Sequence, residues 1–323
     1  MNKNAINRVL ANIPTHLIVI LIIIIWIVPT LGLFITSFRP LPLINTSGWW
    51  TAFSTESTMD PNYDELTERF TVDNYIDALV GYRGTKTYRT DCAAGTQSLD
   101  LKCNISDFLN PRGMGRAFVN SLLVTIPSVI LPILFALFAA YAFSWLDFKG
   151  RYVLFALLVG LQVVPLQMTL VPILRIYANV GLTGSMVGVW LFHTGFGLPY
   201  AIYLFRNYMS TLPRDLLEAS YLDGASHWTA FTKLILPLSM PVIASLAIYQ
   251  FLWVWNDLLV ALTFLGGTTP VMTYQISNMV TSLGAGWHLL TAAAFLSMIL
   301  PMIVFFALQR YFVRGMMAGA VKG

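Results

Sequence analysis

Apolar residues run along this chain in long blocks separated by short polar turns, and one polar stretch, residues 39–113, interrupts the scheme. A hydrocarbon core about 30 Å thick is crossed by roughly 20 helical residues. Six blocks meet that length: 17–35, 116–145, 152–176, 186–208, 241–265 and 289–308. The pattern predicts an all-α polytopic membrane protein with six transmembrane helices. It divides the chain into residues 1–38 (N-terminus and first helix), an insertion at 39–113, a five-helix core at 114–310 and a tail at 311–323. The first block reads as an anchor that stays in place, because its apolar run is long and Thr36-Ser37-Phe38-Arg39 offers no small-residue cleavage site. Within the insertion, residues 70–79 predict a short helix starting near Thr71 or Asp73.

Between the fourth and fifth blocks, residues 210–238 form a polar-faced break with its own punctuation. Pro213 suits a helix start, where its missing N–H is no loss, and Asp215 places a negative charge in the positive first turn. That helix runs to about Leu222. Gly224 accepts the left-handed conformation that closes a helix, and Ser226 caps a second one. Pro237 then bends or ends the second helix where the next block begins. The prediction is helix, tight turn, helix. Ala219 and Ser220 are small and flank Glu218, so a partner surface can approach closely with one charge available for pairing; otherwise Glu218 is a solvated surface carboxylate.

Charge sets the orientation. Lys149, Arg151, Arg206, Arg214, Lys233, Arg310 and Arg314 fall on one side of the predicted membrane, while the turns at 177–185 and 266–286 contain no Lys or Arg. By the positive-inside rule both termini and the 210–238 hairpin are cytoplasmic and residues 39–113 are extracytoplasmic. With 57% hydrophobic and 11% charged residues the chain is not an ordinary soluble domain. Its basic residues are dispersed, which argues against a nucleic-acid partner and leaves the lipid bilayer as its surroundings. Ten of its fifteen acidic residues lie in the insertion, as do its two cysteines, Cys92 and Cys103. An oxidising compartment makes these a candidate disulfide; two unpaired thiols are the alternative. Asn45-Thr46-Ser47 and Asn104-Ile105-Ser106 match the glycosylation pattern, which matters only in a eukaryotic secretory pathway.

No enzyme chemistry is written in the chain. A phosphate-binding loop needs Gly-Lys, and that dipeptide does not occur. His16, His193, His227 and His288 are scattered, and no metal or cofactor motif is found. Polar residues inside apolar blocks are the functional candidates. Tyr249, Gln250, Trp253, Asn256 and Asp257 recur at three- and four-residue spacing, which predicts one helix face suited to a sugar. Gln162, Gln167 and Arg175 form a weaker set. Helix-to-helix hydrogen bonds that only set packing are the competing explanation for each.

Glu218-Ala219-Ser220, with Gly224 four residues on and Leu234-Ile235-Leu236-Pro237 after nine intervening positions, resembles the cytoplasmic coupling loop of binding-protein-dependent ABC importer permeases. Asp223-Gly224-Ala225-Ser226 and the tail from Gln309 resemble the sugar-uptake branch, on the side of the second permease subunit of maltose-type systems. Ser220 stands where that family usually has a second Ala, and Leu234 where it usually has Ile. The resemblance implies a non-catalytic permease in a bacterial cytoplasmic membrane. Its implied partners are a homologous permease, two copies of an ATP-binding subunit and an extracytoplasmic solute-binding protein, and its implied cargo is an oligosaccharide or glucoside. Glu218, Ala219, Ser220, Asp223, Gly224, Ala225, Leu236 and Pro237 would then receive the ATPase, and the tail would reach between the two ATPases. Related importers for glycerol phosphate, polyamines or amino acids are the nearer alternative. A self-sufficient secondary transporter is the remoter one, and no internal repeat or second midplane carboxylate supports it.

Overall fold

A computed structural model of the 323-residue chain describes residues 3–54, 69–81, 108–110, 112–279 and 286–320, with side chains between Pro14 and Arg310. Every regular element among them is helical. The chain divides into two units, Met1–Met114 with Asn278–Leu296, and Gly115–Ser277 with Ser297–Gly323.

The first unit is organised on α1, Lys3–Ser37. From Leu17 to Phe34 nearly every side chain of α1 is exposed, and only 11% of its apolar stretch is buried. In water such a helix would be untenable; in lipid an outward apolar face is the solvated one. Past Ser37 the chain makes α2, Leu41–Thr46, a 3₁₀ turn at Trp49–Phe53, and α3, Asp73–Val80. The start expected near Thr71 is realised by its hydroxyl, which accepts from the Asp73 N–H at 3.1 Å. Asn74, buried, donates to the carbonyls of Ser37 and Arg39 at 2.9 and 2.8 Å, tying α3 to the end of α1. Cys92 and Cys103, the candidate disulfide, lie outside the described residues.

The second unit holds the helical core. Its elements are α4 (Met114–Trp145), α5 (Arg151–Leu161), α6 (Leu166–Asn179), α7 (Met186–Met209), α8 (Arg214–Leu222), α9 (His227–Leu238), α10 (Met240–Trp255), α11 (Leu259–Phe264) and α12 (Met272–Ser277). α13, Trp287–Ala320, follows, its residues up to Leu296 belonging to the first unit. Two apolar clusters stand out among the described residues of the unit. One gathers Leu137 and Tyr141 of α4, Ile202, Phe205 and Met209 of α7, Leu217 of α8, Phe231 and Ile235 of α9, and Leu246 of α10. The other gathers Val124, Leu170, Val189, Phe192, Val254, Val260 and Phe264.

Two expected spans are not single helices. The block at 152–176 is α5 and α6, bent by 99° at residues 162–165. Pro165 lacks an N–H and biases Val164 away from helix, so the ladder opens there. The block at 241–265 ends its helix at Trp255, where the Asn256 amide turns back to the Leu252 carbonyl at 2.8 Å. Asp257 then accepts from the N–H groups of Val260 and Ala261 at 3.0 and 3.2 Å, starting α11. Among the described residues three helices are long and apolar enough to cross a membrane, or five if each bent pair is one span. α7 has the length but falls short in apolarity. The reason is position: it buries Phe192, His193, Thr194, Gly197, Ile202, Phe205 and others against neighbours. A helix that touches mostly protein has no need of an all-apolar surface.

Phe205→Ala should therefore open a cavity in the first cluster and cost about 3–5 kcal/mol. Leu157, 63% exposed on α5, should tolerate Ala with less than about 1 kcal/mol. Midpoints of thermal unfolding in detergent check both, and equal shifts would contradict this packing.

Candidate functional site

The hairpin of 210–238 is an elbow projecting from the second unit. Pro213 (φ −59°, ψ 131°) directly precedes α8, one position earlier than a first helical residue, and Asp215 sits in the first turn. Leu217 is 3% exposed and anchors α8 in the first apolar cluster. Gly224 has φ +81° and closes the helix, with its N–H on the Tyr221 carbonyl and the Ala225 N–H on the Ser220 carbonyl, both at 3.0 Å. Ser226 caps α9, its hydroxyl accepting from the Thr229 N–H at 3.2 Å. α9 loosens into a π turn at Phe231–Ile235, Pro237 follows, and the chain bends by 69° into α10.

The outer surface of the elbow is open. Glu218, Ala219, Asp223, Gly224 and Pro237 are exposed, while Ser220, Ala225 and Leu236 are half-buried. Leu222 is 90% exposed, an apolar side chain held out at the tip. Glu218 lines a shallow cleft of about 150 Å³ together with Arg214, Tyr221, Trp145 and Arg151.

The inner surface is clamped to α4. Tyr141 on α4, Tyr221 on α8 and His227 on α9 come within hydrogen-bonding distance of one another: hydroxyl to hydroxyl at 3.1 Å, and the two hydroxyls to His227 Nδ1 at 3.3 and 2.9 Å. Rings extend the contact. Phe138 stacks on Trp228 at 6.2 Å and packs at 5.1 Å from Phe231, and Tyr141 meets Phe231 edge-on at 5.3 Å. Sequence reading singled out none of Phe138, Tyr141 and Tyr221. The available signal was the three-residue spacing of Phe138 and Tyr141, which puts both on one face of α4.

A second feature lies at the break between α5 and α6. Gln162 and Val164 from the break, Phe196, Pro199 and Tyr200 from α7, and Tyr249 from α10 line an open pocket of about 350 Å³. Tyr200 and Tyr249 are 5.3 Å apart with planes inclined by 49°. Among the described residues no charged side chain lines the pocket.

The five polar residues expected on one face of the fifth span disperse. Tyr249 is half exposed in the pocket. Gln250, the next residue and about 100° around the helix, is buried and donates to the Ser128 carbonyl at 3.2 Å. Gly197 makes room for it, since a Cβ there would stand 2.7 Å from Gln250 Nε2. Trp253 packs edge-on to His193 at 5.1 Å. Asn256 and Asp257 lie beyond the helix end, and Asp257 serves as a cap 3.9 Å from His193 Nε2. Tyr200, absent from the expected set, joins Tyr249 and Gln162 instead. In the tail, α13 continues to Ala320, and side chains past Arg310 lie outside the described residues.

Comparison with known proteins fits this architecture. The chain belongs to the family of binding-protein-dependent transport system inner membrane components, which matches residues 117–318. It is 50% identical to the osmoprotective compounds uptake permease protein GgtD of Synechocystis sp., over 99% of this chain and 96% of that one. It is 42% identical to the alpha-glucoside transport system permease protein AglG of Rhizobium meliloti, over 95% and 96%. In fold it is similar to a chain of a bacterial ABC transporter involved in the import of the acidic polysaccharide alginate. That likeness has a TM-score of 0.65 and 16% identity, and covers 97% of this chain and 99% of that one.

Gly224 tests the elbow's geometry. A Cβ there would meet nothing within 4 Å among the described residues, so the cost of substitution is conformational alone. Gly224→Asn should be tolerated far better than Gly224→Val, whose β-branched side chain adds to the roughly 1–2 kcal/mol penalty of the left-handed backbone. Proteolytic nicking of the elbow in detergent reads the difference, and equal rates would contradict it.

Proposed function

We propose that this chain is one of two homologous permease subunits of a sugar-importing ABC transporter in a bacterial cytoplasmic membrane, and that it does no chemistry itself. Family membership and its permease relatives support the transport role. With α7 counted beside the three long helices and the two bent pairs, the spans number six. Both termini and the elbow face the cytoplasm in this reading, as the distribution of Lys and Arg supports. A separate ATPase subunit receives the elbow, two such subunits hydrolyse ATP, and an extracytoplasmic binding protein delivers solute.

The observation that carries the proposal is the two-sided elbow. Its outer side presents Glu218, Ala219 and the bare Leu222, while its inner side is bonded and stacked onto α4. A push on the tip is delivered to α4 and, through Leu217 and Phe231, to α7. Closing ATPases thus tilt helices, and the cavity turns toward the binding protein.

The pocket beside Tyr200 supports a neutral sugar as cargo. Its two tyrosines offer flat apolar faces and hydroxyls, Gln162 offers an amide, and among the described residues its lining carries no charge to select an anionic or cationic solute. An oligosaccharide or glucoside is the best class, and the Rhizobium relative is named for an alpha-glucoside. Tyr249 and Gln162 belong to this path, whereas Gln250 and Trp253 contact neighbouring helices, Asn256 ends α10 and Asp257 starts α11.

Glu218→Ala and Leu222→Asp, made in the assembled transporter, should each reduce solute-stimulated ATP hydrolysis by at least about tenfold, the equivalent of 1.4 kcal/mol. Insertion in the membrane should be unchanged. Full stimulation in both variants would remove the elbow from the mechanism. Separately, Tyr200→Ala and Tyr249→Ala should raise KM for uptake by up to about tenfold, as loss of an aromatic contact worth 0.5–1.5 kcal/mol predicts. Solute affinity of the isolated binding protein should not move. Unaltered uptake in both tyrosine variants would place the path elsewhere.

A further inference from the structure

The first unit carries an exposed aromatic surface that transport as described does not use. Trp50 is 67% exposed and Phe53 is 68% exposed, and Phe53 lies 6.2 Å from Phe70, itself exposed. Both belong to the segment that follows α1, and its placement along α1 indicates what covers them.

That segment folds back. A Cβ on Gly32 would stand 2.7 Å from Trp49 Nε1, so the indole of Trp49 lies directly on α1 at Gly32. The apolar run 17–35 measures about 28 Å as helix, and Gly32 lies roughly 4.5 Å inside its end. Trp49 is therefore level with the boundary between acyl chains and headgroups, the depth that tryptophan favours. On the neighbouring face of α1 Leu33 and Phe34 are exposed, Phe34 also meeting the Phe295 ring at 5.1 Å.

The fold-back is also built for a place with little water. Residues 40–55 include no charged side chain. The hydroxyls of Thr46, Ser47 and Thr51 each donate to a carbonyl of the same segment, Pro42, Leu43 and Gly48, at 3.0, 2.9 and 2.7 Å. Arg39, the first charged group after the span, is 2% exposed and turned inward. Its guanidinium donates to the carbonyls of Ser47 and Leu43, both at 3.2 Å, and to the hydroxyls of Ser47 and Thr51 at 2.7 and 3.2 Å. An arginine at the end of a span ordinarily reaches out to water. Here it pins the returning chain against its own helix.

We propose that residues 41–53 are an interfacial anchor, lying in the headgroup boundary of the bilayer with Trp50 and Phe53 in lipid. The occupant of this surface is the membrane itself, continuous with the lipid shell of α1. The anchor fixes the height of α1 in the bilayer and the starting point of residues 54–113.

Power-saturation electron paramagnetic resonance tests this in the full chain, reconstituted in nanodiscs of phosphatidylcholine and phosphatidylglycerol. A ketone-bearing amino acid placed at position 50 or 53 and coupled to a nitroxide leaves both cysteines untouched. Labels at Ile23, mid-span and half exposed, and at exposed Lys149 give the lipid and water references. At 50 and 53 the accessibility to oxygen relative to a water-soluble nickel complex should fall between the references and nearer to Ile23. A ratio equal to that of Lys149 overturns the proposal in favour of an aqueous surface. Low accessibility to both reagents overturns it in favour of a protein cover. Either position can be read alone if a label at the other impairs folding.

Discussion

In the proposed coupling, a flexible loop between helices would absorb a push instead of passing it on, and the contact between α4 and the elbow is what would prevent this. Tyr141, Tyr221 and His227 meet at hydrogen-bonding distance across three helices, and the rings of Phe138, Trp228 and Phe231 contact one another beside them. Leu217 sits beneath, in a cluster shared with α7 and α10. Aromatic rings lose little rotamer freedom for the area they bury, which makes such a joint stiff. The outer side of the same elbow stays bare because its apolar tip, Leu222, has nothing of its own chain to touch among the described residues.

The bilayer explains much of the remaining architecture. Lipid gives helices no hydrophobic reason to associate, so they are held by close fit and by hydrogen bonds. Gly197 lets Gln250 reach between α7 and α10 to the Ser128 carbonyl on α4, and Trp190 donates to the Leu123 carbonyl at 2.9 Å. α7, packed largely against protein, buries His193, Thr194 and Gly197, whereas α1 exposes an unbroken apolar run from Leu17 to Val28. Where α5 gives way to α6, the helical ladder opens and the freed space becomes the tyrosine-lined pocket. Broken backbone at membrane depth is tolerated where it lines a cavity.

Much of this was legible in the order of residues. Block lengths gave the membrane class and the placement of long helices, and Pro213, Gly224, Ser226 and Pro237 marked the elbow to within a residue or two, because capping and turn chemistry are local. What escaped was set by tertiary contact. Val164-Pro165 marks a break in principle, yet a proline inside a membrane helix is often accommodated: Pro172 and Pro199 sit within intact helices. Asp257 looked like one member of a polar stripe, but its carboxylate was taken by the start of α11. Tyr200 and Tyr249 are 49 positions apart and meet only through the crossing of α7 and α10. Likewise Tyr141 finds His227 86 residues on, which no periodicity encodes.

The central claim is that the elbow and α4 move as one body. It is tested most directly by the distance between spin labels at Leu222 and at Ile126, the latter about 22 Å along α4 from Tyr141. Measured by double electron–electron resonance in the assembled transporter, with and without ATP, the distribution should be single and unchanged. A nucleotide-dependent shift or splitting between those two positions would show the elbow swinging free of α4 and would contradict the account.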